Sequence, residues 1–336
     1  EGVYWNADAP MPIASVAKII TLVAYAEAIA GGELNASEPV LLTELERYYL
    51  PGFDLGAHRR ALTQLRAEGR ILSPQENQAV SLDDVAWMMI RHSSNAAADY
   101  LHARLGQQRI EETAIWLGLN QSPGSHSAPC SLLGQFLMIG NHTRGIVNDR
   151  AILGELAGSD PGRPADYGSQ VALLADIYAN QSAFRLEEQA WRSRTNRPSL
   201  DAQRFFAEHL APQGTAGNYA RLMSRLAQNG LSNGDSSFHA RRLLEWTNLF
   251  PANQELFSNI GYKDGSLPGI LATVYYAYRW NDPAPVVVVL FYRDLPQQTY
   301  RQWRSDLPHD ALSRWLLADP EAIPALSAAL HQATSP

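Results

Sequence analysis

Ser15 and Lys18 stand three residues apart at the head of an apolar run, in Ser15-Val16-Ala17-Lys18. Side chains at i and i+3 share a helix face, so this spacing brings a hydroxyl to an amine. A helix N-terminus adds positive potential, and apolar neighbours remove water; both favour the neutral form of lysine. A neutral lysine can take the serine proton and leave an activated nucleophile. The plainer reading of the same residues is a helix N-cap serine with a snorkelling lysine. The chain holds two lysines against 25 arginines, and the second, Lys263, opens Lys263-Asp264-Gly265-Ser266. Arginine stays protonated at ordinary pH, whereas a buried lysine can act as a base.

A third group lies between them, Ser93-Ser94-Asn95. A hydroxyl at Ser93 suits proton relay to a leaving group, and the Asn95 amide suits a substrate carbonyl. Alternatively the segment only caps a helix starting at Ala96. Lys263-Asp264-Gly265-Ser266 reads as an edge strand whose glycine lets a substrate approach the backbone. Its amides can bind an extended substrate, and one can meet a developing oxyanion together with the amide of Ser15. The alternative there is a β-turn.

The order of the three groups, with the first opening a hydrophobic helix and the last on a late strand, resembles the penicillin-recognising serine enzymes. Within that superfamily the sequence resembles the class A β-lactamase-like branch. The resemblance spans the chain in outline and is firmest over 3–35, 81–105 and 258–330. It implies Ser15 as acylated nucleophile and Lys18 as its base. It further implies Ser93 as relay, Asn95 as substrate holder and Lys263 as electrostatic support, with Asp264, Gly265 and Ser266 lining the substrate. The implied protein is a serine hydrolase or acyltransferase without cofactor or metal. Its substrate would be a small molecule or peptide: a β-lactam amide, a D-Ala-D-Ala-like peptide or a related amide or ester. The alternative is a non-turnover sensor domain that binds penicillin or peptidoglycan. A third possibility is that all three groups are structural caps and turns. The implied location is extracytoplasmic, periplasmic or secreted.

The sequence departs from that pattern in four ways. Asp264 stands where the family has Thr or Ser, and a carboxylate there repels an acidic substrate end unless it points away; it suits a cationic group instead. The loop glutamate of class A β-lactamases, followed four residues later by asparagine, has no counterpart at that spacing. Glu155 is the nearest candidate and lacks the asparagine. The segment between Asn95 and Lys263 is longer than in compact β-lactamases. The family's N-terminal helix and first strand are expected to be missing, and Glu1-Gly2-Val3-Tyr4-Trp5 reads as mid-fold, with no signal peptide and an upstream segment removed.

The elements that must position these residues follow from pattern. Helices are expected at 58–69, 81–90, 95–105, 108–117, 169–180, 200–209, 218–229 and 238–247, and from Ser15 to a Gly31-Gly32 stop. Ser81 with Asp84 resembles a capping arrangement. Residues 118–168 and 230–237, rich in Gly, Ser, Asn, Asp and Pro, read as largely loop. Strands are expected at 2–6, 256–262, 270–280 and 285–292, then a helical tail over 299–330 broken near Pro320. The fold class is α/β (α+β): an antiparallel sheet flanked by helices with an inserted all-α domain, β-lactamase/transpeptidase-like. Residues 1–14 and 256–336 are assigned to the sheet subdomain, their strands pairing with each other, and 15–255 to the helical one, with the site at the junction.

Bulk properties exclude other classes. A net charge of −7 and scattered arginines argue against nucleic-acid binding. The single cysteine, Cys130, excludes an intrachain disulfide and reads as core or loop. The nine histidines form no HExxH motif. Ile19–Ala30 contains Glu27 and is too short to span a bilayer, so no transmembrane segment is expected. His92 reads as a partly exposed helix residue or a partner of Ser93, and His126 as loop surface. Tyr48, Tyr49 and Phe53 either line the cleft or pack a loop.

Overall fold

The computed structural model describes residues 2–71, 78–119, 128–143, 167–193 and 198–334. Glu155 and His126 lie outside these residues.

The helix Lys18–Ala30 is apolar but for Lys18, Thr21 and Glu27, and Ile19, Ile20, Leu22, Val23 and Tyr25 are fully buried. Such a helix belongs in the middle of a core. It shares one cluster with Val85, Met88 and Met89 of Leu82–Arg91, Leu101 of Asn95–Leu105, and Leu222 and Met223 of Ala216–Ala227. Leu82–Arg91 begins with the expected capping box. Ser81 Oγ accepts from the Asp84 amide at 3.0 Å, and the Asp84 carboxylate accepts from the Ser81 amide at 3.0 Å.

Seven strands are seen among the described residues. β1 (Met11–Pro12) pairs with β4 (Gln213–Gly214), and β2 (Pro39–Leu41) with β3 (Ala79–Ser81). The main sheet is antiparallel with order β5-β6-β7, formed by Phe257–Leu267, Ile270–Arg279 and Val286–Tyr292. Side chains alternate across a strand. Ala272, Val274 and Tyr276 of β6 therefore join the helical core, while Tyr275 and Ala277 pack on Leu316 and Leu317 of the helix Pro308–Ala318. A strand covered on both faces needs no polar side, which explains the continuous apolar run at 270–277.

Three expectations are corrected. Residues 2–6 form no strand, and the N-terminal strand, at Met11–Pro12, pairs with Gln213–Gly214 rather than with the C-terminal sheet. Within the supposed loop 118–168, Leu132–Thr143 is a helix. Its Gly134 is a packing residue: a methyl there would lie 2.0 Å from the Val171 carbonyl oxygen of Tyr167–Asn180. The loop expected over 230–237 ends early, because Asn233 caps a helix Gly234–Leu244.

Candidate active site

Ser15 lies in a single 3-10 turn, Ala14–Ala17, which runs directly into Lys18–Ala30. Its side chain caps nothing, so the N-cap reading fails. Ala14 enters the turn at φ 47°, a conformation that costs a non-glycine residue energy and needs support around it. That support comes from strand β5. It is an edge strand, and its free side passes the turn so closely that a methyl on Gly265 would lie 2.6 Å from the Ile13 carbonyl oxygen and 2.8 Å from the Ser15 amide nitrogen. Glycine at 265 is what lets the sheet reach the serine.

Ser93 is held at φ 61° between two helices. The capping role falls to its neighbour: Ser94 Oγ accepts from the Ala97 amide at 3.2 Å, and the helix starts at Asn95 rather than Ala96. Ser93 Oγ is thereby left for side-chain chemistry.

The two lysines meet at that hydroxyl. Lys18, 2% exposed, has its Nζ 3.2 Å from Ser15 Oγ, 3.2 Å from Ser93 Oγ, 2.7 Å from the Ser93 carbonyl oxygen and 2.7 Å from Asn95 Oδ1. Lys263, 1% exposed, places its Nζ 3.1 Å from Ser93 Oγ, 2.8 Å from the Asp264 carbonyl oxygen and 3.1 Å from Asp264 Oδ1. Burial, and then the charge of Lys263, lower the Lys18 pKa to about 7; the carboxylates of Asp99, Asp264 and Asp54 act in the other direction. A neutral amine has two N–H donors and one lone pair. The carbonyl oxygens of Ser93 and Asn95 can only accept, so they take the two donors and leave the lone pair for a hydroxyl proton. The nearest hydroxyls are those of Ser15 and Ser93.

The structure therefore brings Ser15, Lys18, Ser93, Asn95 and Lys263 into one hydrogen-bonded group. Asp264, Gly265 and Ser266 line the same cleft. The Asp264 side chain is 53% exposed; Lys263 holds its carboxyl below the usual range despite the opposing cost of burial.

Further residues line the cleft, and of these only Phe53 was named from sequence. Phe53, Asp54, Leu132, Phe136 and Phe206 form its far wall. Asn95 Nδ2 donates to the Phe53 carbonyl oxygen at 3.1 Å, which ties that wall to the reactive group. Asp99, 3% exposed, lies one turn beyond Asn95 and accepts from the Leu133 amide at 2.9 Å. Burial raises its pKa to about 7. The signal was present: a carboxylate four residues after Asn95, on the same helix face, among alanines.

His92 lines the cleft, but its Nε2 is bonded to Gln64 Oε1 at 2.9 Å. Burial, with Arg91 and Arg60, lowers its pKa to about 4, so it is neutral and turned from Ser93. Of the aromatic trio, only Phe53 lines the cleft; Tyr49 stacks on His58 and Tyr48 packs edge-on to Tyr100. Cys130 is buried in the core. No cluster of potential metal ligands occurs among the described residues.

Residues 1–315 match the Beta-lactamase enzyme family, and the chain belongs to it. Among solved structures it is similar to a β-lactamase from Sphaerobacter thermophilus, at 17% identity over 95% of this chain and 89% of that one, with a TM-score of 0.50. It is also similar to a class A β-lactamase representing the last common ancestor of Gram-negative bacteria, at 13% identity, 97% and 88% coverage and a TM-score of 0.49. PBP-A is a third such structure, at 14% identity, 97% and 83% coverage and a TM-score of 0.48. No curated protein sequence matches. The fold is thus that of the β-lactamases and transpeptidases, as expected. Members of the family are typically extracytoplasmic, and among the described residues no helix is long and apolar enough to cross a membrane.

Proposed function

We propose that the chain is a serine acyl hydrolase or acyltransferase that forms an acyl-enzyme on Ser15 with an amide or ester substrate. The observation that carries this is the position of Lys18 Nζ, 3.2 Å from Ser15 Oγ with its donors directed to two carbonyl oxygens. Ser15 Oγ attacks the carbonyl while Lys18 takes its proton. The oxyanion is met by the amides of Ser15 and Ser266, on the turn and strand that Gly265 holds together. Ser93, between the two amines, returns a proton to the leaving group. Lys263 supplies positive potential to the Ser93 oxygen as that proton leaves. Periplasmic or secreted location accompanies this reading.

The second reading is a sensor with slow turnover. The cleft wall facing Ser15 carries Leu132 and Phe136, and no glutamate is among the described residues that line it. Its one carboxylate away from the β5 strand, Asp54, is occupied by the amides of Gly56 and His58 at 2.9 and 2.8 Å. Among the described residues that wall holds no carboxylate but Asp54, and Glu155 lies outside them, so the lifetime of the acyl-enzyme is what separates the two readings.

The test is intact-mass analysis after incubation with a fluorophosphonate and, separately, with a fluorescent penicillin. A fluorophosphonate adduct mapped to Ser15 is expected. A persistent penicillin adduct supports the sensor or slow-peptidase form, and a transient one with turnover supports a β-lactamase. Well-folded protein that reacts with neither reagent rules out the acyl-enzyme reading.

A further inference from the structure

We propose that this site selects substrates whose leaving group carries a cationic, ammonium-type centre, and that Asp264 is the residue that selects them. The inference rests on the acyl-enzyme reading above and names its substrate class.

The Lys263 ammonium has three N–H donors. All three have acceptors within the chain: Ser93 Oγ at 3.1 Å, the Asp264 carbonyl oxygen at 2.8 Å and Asp264 Oδ1 at 3.1 Å. The carboxylate that a substrate would otherwise bring to this lysine is supplied by the protein itself. A substrate carboxylate arriving here meets no free donor on Lys263 and faces the like charge of Asp264 at close range.

Asp264 is also turned to where a substrate must lie. It lines the cleft with Ser15, Ser93 and Ser266, and half its side chain is exposed; its charge also acts on Tyr262, Tyr275, His309 and Asp310 beside it. Its carboxyl stays below the usual range, so it is ionised at neutral pH. Lys263 bridges Ser93 Oγ and Asp264 Oδ1, which sets the carboxylate on the side of the hydroxyl that protonates the leaving group. The cation is therefore placed on the leaving group rather than on the acyl chain.

The cleft holds other charged groups. Each Asp54 oxygen accepts one backbone amide of its own turn, and its remaining charge is the competing anion that the Asp264 variants leave in place. Arg60 donates to the Leu55 carbonyl oxygen at 2.7 Å, and His92 is bonded to Gln64. Arg304 is exposed and lines the cleft from the helix Gln297–Asp306. It is the competing cation, and the experiment includes the outcome in which it governs.

Three acetyl thioesters serve as probes: acetylthiocholine, its uncharged isostere S-(3,3-dimethylbutyl) thioacetate and S-acetyl-3-mercaptopropionate, each acylation constant being divided by that ester's own alkaline hydrolysis constant to remove the effect of thiol acidity. In each, the Ser15 Oγ–carbonyl bond forms and the C–S bond breaks. The Ser15 proton passes to Lys18 and on from Lys18 to Ser93, as Ser93 gives its own proton to the thiolate, and the thiol released in the first turnover is measured. The second-order acylation constants should fall in the order ammonium, neutral, carboxylate, by about tenfold from first to last for a half-exposed charge. Asp264→Asn and Asp264→Ser should each compress that range to within about twofold. An equal or reversed order in the unmodified protein overturns the proposal, and reversal would assign selection to Arg304 and Arg60. Fluorophosphonate labelling of Ser15, run alongside, separates the two levels. Labelling with a flat or reversed charge order sinks this inference alone, while absence of labelling sinks the acyl-enzyme reading beneath it.

Discussion

Lys18 has four oxygens around its amine and, among the described residues, no carboxylate within hydrogen-bonding reach. Its acidity is therefore governed by burial and by charges one layer away. If Lys18 removes the Ser15 proton, acylation requires its neutral form. The labelling rate should then rise with pH and level off above a midpoint near 7, the pKa given by burial and Lys263. Asp99 tests the second layer. Its negative charge favours protonated Lys18, so Asp99→Asn should move the acid limb to lower pH, by on the order of half a unit. Asparagine keeps an oxygen for the Leu133 amide, so the helix start should stay in place. Fluorophosphonate labelling rates from pH 5 to 9 measure this. A limb that stays put in the variant removes Asp99 from the proton chemistry.

The reactive group is assembled by elements that differ widely in how well sequence announces them. The Ser15-to-Lys18, Ser93-to-Asn95 and Lys263-to-Ser266 groups were legible because each requires particular residue types at fixed short spacing. Most long helices were legible from apolar periodicity, and Asn95–Leu105 and Leu200–His209 begin and end where expected. Leu132–Thr143 was not, because Gly134 reads as a loop signal until its contact with Val171 is seen. The wall it contributes, Leu132 and Phe136, was lost with it. Close approach matters most at β5. A methyl on Gly265 meets the Ile13 carbonyl oxygen, the Ser15 amide and Ala14 Cβ, the last at 3.0 Å, and none of these can rotate away. Gly265→Ala should push the strand from the turn and slow Ser15 labelling about tenfold or more, since small misplacements of reacting groups are costly. Far-ultraviolet circular dichroism should be retained. Unchanged labelling would mean that the strand does not help to place the nucleophile.

On the scale of the whole molecule, the cleft lies between the central core around Lys18–Ala30 and a second cluster containing Phe136 and Phe206, and two titratable groups are buried beside it. The pKa of Lys18 is lowered from 10.5 to about 7, and that of Asp99 is raised from 3.8 to about 7. The two shifts have opposite consequences for stability. Between about 7 and 10.5 the unfolded chain holds a proton on Lys18 that the folded protein has released, so raising the pH through this window favours the folded state. Between about 4 and 7 the folded protein holds a proton on Asp99 that the unfolded chain has lost, so raising the pH there favours unfolding. Together they place a local minimum of stability near pH 7, where Lys18 is half neutral. Each full shift corresponds to several kcal/mol, on the order of 4, with the attraction between the two groups already included. Lys18→Met keeps the bulk of the side chain and removes its charge. The variant should be more stable than the unmodified protein at pH 7 and below, and the difference should shrink steadily from pH 7 to pH 10. Urea unfolding across that range measures it. Lys18 lowers the Asp99 pKa, so the same comparison is made in an Asp99→Asn background to remove the contribution of Asp99 from the difference. A difference independent of pH would mean that Lys18 is not held neutral by the fold, and the acid limb of the labelling rate would then need another owner.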